Sequence, residues 1–407
     1  LEADVGKLWT RNFFILWQSQ LVSTLGDAAY SIALGFWVLS ATGSTALMGT
    51  LMAASTLPGV LVSPFAGVLI DRYNRKLLLI MMDMLRGISI VTLSIAAFNG
   101  FISVWMVFLT GILLSICGAV FRPGVNSSVP DMVPKDRLTS ANSMFAIVST
   151  GSNMFGNVAG GFLFQLLGAP FLFLFNGLSY IFSGSSILFV KIPKHKKEEK
   201  KHFFKDMRDG FQFMWEMKGL RYLLLIAAIV NFLSFIAIVL FLPYFENNPE
   251  LGPGKYGIAM ACFMGGAMAG FLVSSTISIP IKRRLDYLIL SNGISNLCLI
   301  ISAYQPRFVS MAFFILVGGF FNAIVNVVLM TTVQSAAPQE MRGKVMAFMS
   351  MITQSMTPFA MALGGLLASY FPIRTIISTS LLLVIATVTP FYFIRSLKEF
   401  FLNNIDY

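Results

Sequence analysis

Apolar residues run through this chain in long stretches, and polar residues gather in the short gaps between them. A stretch of about 20 apolar residues is long enough to cross a bilayer as a helix. Twelve such spans are visible, at residues 12–39, 46–70, 77–98, 102–121, 138–167, 170–190, 220–245, 256–279, 287–303, 308–333, 345–370 and 375–394. Several exceed the minimum, which predicts tilted or extended helices. Lipid offers backbone N–H and C=O groups no partner, so the spans must be helical. The longest polar gap begins with Ile192-Pro193-Lys194-His195-Lys196-Lys197-Glu198-Glu199-Lys200-Lys201, a solvated linker. Beyond it, Phe204, Met207, Phe211 and Trp215 recur at helical spacing, with Lys205, Asp206, Arg208, Asp209 and Gln212 on the other face. That pattern predicts an amphipathic helix on the inner membrane surface.

The gap divides the chain into a six-helix bundle at 1–190, a cytoplasmic linker at 191–219 and a second six-helix bundle at 220–407. An ungapped shift of 204 residues carries Pro134 onto Pro338 and Asp136 onto Glu340. The same shift carries Ser127-Ser128 onto Thr331-Thr332 and Gly160-Gly161 onto Gly364-Gly365. The predicted fold is an all-α membrane protein with twelve transmembrane helices in two pseudo-symmetric bundles. Parallel six-span repeats place a substrate site near the midplane between them and imply a secondary transporter.

Composition agrees. Of 407 residues, 56% are hydrophobic and 12% charged, against about 25% charged in soluble domains. With the N-terminus inside, the outer loops hold only Lys255, Arg307 and Arg374, while the other 26 of 29 basic residues fall in inner loops, tails or inner halves of spans. Both termini are therefore expected in the cytoplasm. The net charge of +11 follows from this bias and from anionic inner-leaflet lipid. No separate soluble domain exists to carry a nucleic-acid surface. The first span is too long for a cleavable signal peptide and lacks a small-residue cleavage site.

Enzyme and ATPase readings find little support. Both histidines, His195 and His202, lie in the linker, and no His/Cys/Asp cluster falls within a span. Cys117, Cys262 and Cys298 sit inside spans as packing residues rather than as a metal site. Gly252-Pro253-Gly254-Lys255-Tyr256 does not meet the phosphate-loop pattern. No cofactor or metal is implied, and a monomer is expected.

The chemistry begins at Asp27, in the middle of the first span. A charge near the bilayer centre costs about 2.5–3.5 kcal/mol on insertion scales and is a functional candidate by default. Gln20, Ser23, Thr24, Asp27 and Ser31 recur every three or four residues and form one polar stripe, with Tyr30 nearby. In span three, Asp83 and Arg86 stand one turn apart. They can pair with each other, or Arg86 can reach Asp27. The second half carries no acid inside a span; its polar candidates are Asn231, Ser234, Asn322, Asn326 and Gln354. Helix–helix hydrogen bonding explains these equally well. A partly desolvated Asp27 is able to take up a proton, with Asp83 and Arg86 tuning the charge.

Two motifs narrow the family. The loop after span two reads Gly67-Val68-Leu69-Ile70-Asp71-Arg72-Tyr73-Asn74-Arg75-Lys76. It resembles motif A of the major facilitator superfamily, with Asn74 where glycine is usual. The resemblance implies a cytoplasmic latch made by Gly67, Asp71, Arg72, Arg75 and Lys76. Gly67 would let helices approach, Asp71 would accept hydrogen bonds at a helix N-terminus, and the arginines would bridge helix ends. In the second half, Lys282-Arg283-Arg284 keeps the charge and loses the acid. Span five holds Gly156-Asn157-Val158-Ala159-Gly160-Gly161, similar to the antiporter motif of drug exporters with Asn157 in place of proline. Small residues pack membrane helices in any family, so both readings stand. Span four lacks the arginine-glycine motif of proton antiporters.

The whole chain resembles the macrolide-efflux group, which includes siderophore exporters. The resemblance rests on Leu16-Trp17-Gln18-Ser19-Gln20, Thr42-Gly43-Ser44, Val133-Pro134-Lys135-Asp136-Arg137-Leu138 and Lys191-Ile192-Pro193-Lys194. It implies drug export from a bacterial-type plasma membrane, driven by a proton gradient, of an amphipathic small molecule drawn from the cytoplasm or the inner leaflet of membrane lipid. Gly26-Asp27, Asp136-Arg137-Leu138 and Ala141-Asn142 look similar to lysophospholipid transporters as well, which keeps a lipid flippase as the alternative.

Overall fold

A computed structural model describes residues 8–134, 137–191, 212, 215–276, 280–336, 342–392 and 401. The expected surface helix around Phe204 and Phe211 falls outside them, as do Lys135 and Asp136.

The first span is α1, Arg11–Thr42. The Thr10 hydroxyl accepts from Phe13 N–H at 3.2 Å to start it, and Gly43, at φ +63°, ends it. Only a residue without Cβ enters that left-handed region freely. The second span is divided into α2, Thr45–Ala54, and α3, Leu57–Arg72. Pro58 causes the break, because its ring clashes one turn back and it has no N–H to donate. Ser115 of the fourth span closes the gap: its hydroxyl accepts from Gly59 N–H at 2.8 Å and donates to Thr56 O at 3.2 Å.

Next come α4, Arg75–Phe98, and α5, Val104–Ser128. The predicted fifth and sixth spans form one bent element, α6, Leu138–Ile187. Its 50 residues correspond to about 75 Å of helix, over twice the hydrocarbon thickness. It therefore crosses twice, and it turns at Gly168, φ +76°, two residues before Pro170. In the second half α7 is Lys218–Glu246, α8 Gly252–Thr276, α9 Arg284–Ala303 and α10 Phe308–Ala336. The eleventh span divides ahead of Pro358 into α11, Arg342–Ser355, and α12, Thr357–Leu367, and α13 is Ile373–Val388. Among the described residues, nine helices are long and apolar enough to span on their own. The count falls below twelve because α6 holds two crossings and the eleventh and twelfth are in shorter pieces.

The chain forms two compact units. The first gathers α1 to α6 together with Gly252–Gly257. Its core joins Phe13 and Leu16 of α1 to Leu79 of α4, Phe121 and Val125 of α5 and Ile187 of α6. The second gathers α7 and α9 to α13 with the rest of α8. Its core joins Leu220 and Leu223 to Leu285, Val333 and Val345. Outward-facing Leu61, Trp105, Leu109 and Leu166 are exposed, as a lipid-facing surface requires.

Positions related by the 204-residue shift can be compared within each unit. Ser128 and Thr332 are both fully buried, and each hydroxyl donates to the carbonyl four residues back, at 2.8 and 2.7 Å. Gly160 packs on Ala29 and Ile32 of the first span, and Gly364 packs on Ile236 and Val239 of the seventh.

Candidate functional site

The first unit carries a buried charge cluster, and glycines make room for it. A Cβ at Gly26 would lie 2.5 Å from both Asn176 Oδ1 and Ser179 Oγ of α6. A Cβ at Gly87 of α4 would lie 2.7 Å from Ile181 Cγ1 and 3.0 Å from Gly177 O. The second arm of α6 therefore lies close against α1 and α4 at once. That placement aims the Tyr180 hydroxyl at the next residue of α1, where it donates to Asp27 Oδ1. Asp27 is half-buried.

One turn along α6, Ser183 Oγ donates to Asp83 Oδ2 at 2.6 Å. Asp83 is fully buried, and its Oδ1 accepts from Arg86 Nη2. The Arg86 guanidinium lies between two aromatic faces, 4.3 Å from the Phe121 ring centroid and 4.2 Å from that of Tyr180. Its Nε–H donates to Met82 O at 3.4 Å. A desolvated cation–π contact contributes about 2 kcal/mol, so the sandwich offsets part of the burial of the charge. The two open sequence readings of Arg86 are thereby resolved: it pairs with Asp83 and meets Asp27 through Tyr180.

Tyr180 touches both the Asp27 carboxyl group and the Arg86 guanidinium, so two carboxyl groups and one guanidinium share the cluster. Arg122 on α5 is exposed. Cys117 lies within electrostatic reach of Arg86 and Asp83. Near Asp27, Tyr30 Oη is buried with no hydrogen-bond partner among the described residues.

The rest of the expected polar stripe divides. Ser23 and Thr24 both donate to Gln20 O on their own helix, at 3.3 and 2.6 Å. Gln20 Nε2 is buried without a partner among the described residues, and Ser31 is exposed. In the second unit, Asn326 is exposed and donates to Asn322 O and Oδ1 at 2.9 and 3.0 Å. Exposed Gln354 donates to Ser350 Oγ at 2.9 Å. Asn231 and Ser234 are half-buried, with Asn231 Oδ1 buried and unpartnered.

At the predicted latch, Arg75 Nη1 donates to Ser127 O at 3.2 Å and to Asp131 Oδ2 at 3.1 Å, and so joins α4 to the end of α5. Lys76 Nζ donates to Leu188 O at 2.7 Å, a cation at the C-terminal end of α6. The side chains of Asp71 and Arg72 lie outside the described residues. A Cβ at Gly67 would meet nothing within 4 Å among the described residues. Gly59, where a Cβ would lie 2.8 Å from Ser115 Oγ, makes a close approach of this helix. Asn74 is the N-cap of α4, its Oδ1 accepting from Leu77 N–H at 3.3 Å. Asn74→Ala is expected to destabilise the protein by about 0.5–2 kcal/mol and Asn74→Gly by only a few tenths. Thermal unfolding in detergent checks the order.

The antiporter-like stretch packs closely. A Cβ at Gly156 would run into that of Ala28, and one at Gly160 would lie 3.2 Å from Ala29 Cα. Gly161 lies against the backbone of Pro253 and Gly257, and a Cβ at Gly257 would lie 2.6 Å from Asn157 O.

Sequence reasoning overlooked Asn176, Ser179, Tyr180 and Ser183. Their spacing of three and four along the sixth span was a signal as strong as the stripe on the first. Phe121 gave no signal of its own in a chain with 39 phenylalanines.

Long apolar helices in two units, one of them enclosing an ionic cluster, define a polytopic membrane protein. The Major Facilitator Superfamily model matches residues 16–360 and again 224–399. The chain belongs to this family, and it is a multi-pass membrane transporter rather than an enzyme. It is 25% identical over 397 residues to macrolide efflux protein A of Streptococcus pyogenes, covering 94% of this chain and 96% of that one. It is 23% identical over 371 residues to the multidrug efflux pump Tap of Mycobacterium bovis, covering 86% of each. The fold matches a bacterial homolog to the human lysosomal transporter Spinster, with a TM-score of 0.69 at 15% identity over 97% of this chain and 98% of that one. A bacterial homologue of the iron transporter ferroportin matches with a TM-score of 0.69 at 16% identity over 93% and 98%.

Proposed function

We propose that the protein is a proton-coupled exporter of amphipathic drugs, working as a monomer by alternating access with both termini in the cytoplasm. The observation that carries the reading is the Asp27 carboxyl group inside the first span, held by Tyr180 beside the Arg86–Asp83 pair. The macrolide and multidrug pumps among its relatives support the cargo class. A cargo molecule and a proton compete for Asp27 or stabilise different states around it. Each needs only to bind the two conformers with different affinity. The proton neutralises Asp27 on one side of the membrane and leaves it on the other. Membrane lipid surrounds the path, and the proton gradient is the only energy source required.

The test is macrolide flux in proteoliposomes with and without an imposed pH gradient. For one proton exchanged per molecule, each pH unit supplies about 1.4 kcal/mol, or tenfold accumulation. The expected result is uphill macrolide movement that collapses when a protonophore is added. Flux indifferent to the gradient would remove the coupling. Lysolipids and siderophores in the same screen would identify a flippase or a siderophore exporter if they alone were moved.

A further inference from the structure

We propose that Tyr180 is a positioning residue that couples the charge on Asp27 to the Arg86–Asp83 pair, so that the two carboxylates respond as one unit. The inference rests on the proton-coupled reading above, but the coupling is measurable without transport. Tyr180 uses both ends of its side chain. Its hydroxyl donates to Asp27 Oδ1, and its ring carries the Arg86 guanidinium at 4.2 Å. Arg86 in turn donates to Asp83, which is fixed from the other side by Ser183, three residues beyond Tyr180 on α6. One helix arm thus holds both acids. Gly26, Gly87 and Gly184 leave it no slack: a Cβ at Gly184 would lie 3.2 Å from Asp83 Cβ.

A phenol bound to a carboxylate makes a charge-assisted hydrogen bond about twice as strong as a neutral one. When Asp27 takes a proton, that anchor weakens. The added proton stays on Asp27, Tyr180 keeps its own, and no covalent bond at the phenol changes. The ring is then free to shift beneath Arg86, and Arg86 turns its full charge on Asp83. The other charged or titratable groups facing the cluster are Tyr30 on α1, Cys117 and Arg122 on α5. Among the described residues, none of these three bridges the two acids by direct contact with Asp27 and Arg86 together.

The test is an infrared titration of the purified full-length protein. The Asp83 carboxyl band is assigned by its loss in Asp83→Asn. The shift in its titration midpoint caused by Asp27→Asn is then measured with and without Tyr180→Phe, which keeps the ring and removes only the hydroxyl. The shift is expected to shrink at least threefold in the Tyr180→Phe background. An unchanged shift would overturn the coupling. In proteoliposomes, Tyr180→Phe is expected to lower the maximal gradient-driven rate about tenfold with KM moved less than threefold, and to add nothing to Asp27→Asn. Additive losses would also overturn it. If the midpoint shift shrinks but wild-type flux ignores the gradient, Tyr180 couples the acids and the proton-driven export reading falls.

Discussion

Replacing Asp27 with Asn is expected to lower gradient-driven macrolide flux by at least about thirtyfold while the yield of folded protein stays within about twofold. Asn cannot take up and release the proton that the uphill step requires, so that step is lost rather than weakened; a thirtyfold loss corresponds to about 2 kcal/mol. The fold survives because Asn keeps the shape of the side chain and still offers an oxygen to the Tyr180 hydroxyl, which donates to Asp27 in the native protein. What Asn lacks is a site for a proton. Downhill exchange of labelled against unlabelled macrolide should therefore persist while uphill movement is lost. Asp27→Glu restores the charge but extends it by one methylene beside Gly26, where a single Cβ would already lie 2.5 Å from Asn176. An intermediate rate is expected. Uphill flux at the wild-type level in Asp27→Asn would take Asp27 out of the coupling.

The spans were legible because a bilayer imposes one rule on every crossing: about 20 apolar residues, all helical. The bends were less so. Pro58 and Pro358 interrupt spans whose hydropathy is continuous, and Gly168 joins two crossings that hydropathy separates. The cluster was half legible. Asp27, Asp83 and Arg86 stand out because charges are rare inside spans, whereas the groups that organise them are neutral. Tyr180, Ser183 and Asn176 are ordinary membrane-helix residues until the glycines bring their helix into contact. Ser23 and Thr24, expected as cavity groups, donate to their own helix backbone, as Ser and Thr commonly do in helix interiors. Motif spacing marked the loop after the second span, whereas Gly59, with no motif to mark it, is where α3 meets Ser115.

Arg86 should be the residue the first unit tolerates losing least. Arg86→Met leaves Asp83, fully buried with Ser183 as its remaining donor, as an uncompensated charge. Breaking a buried pair from one side costs about 3–5 kcal/mol, a large fraction of the roughly 5–15 kcal/mol that separates folded from unfolded domains. The expected result is a sharp fall in thermal stability in detergent and in membrane yield. The double variant Arg86→Met with Asp83→Asn removes both charges and should recover more than half of that loss, because an uncharged pair of similar volume is often neutral or stabilising. Arg86→Lys tests the sandwich separately. Lysine keeps the charge but has no planar face to lie between Phe121 and Tyr180, and it is more strongly hydrated than a guanidinium. It should fold better than Arg86→Met and still transport poorly. If the double variant recovered stability and also transported uphill at the wild-type rate, the Arg86–Asp83 pair would be structural, and the coupling would belong to Asp27 and Tyr180 alone.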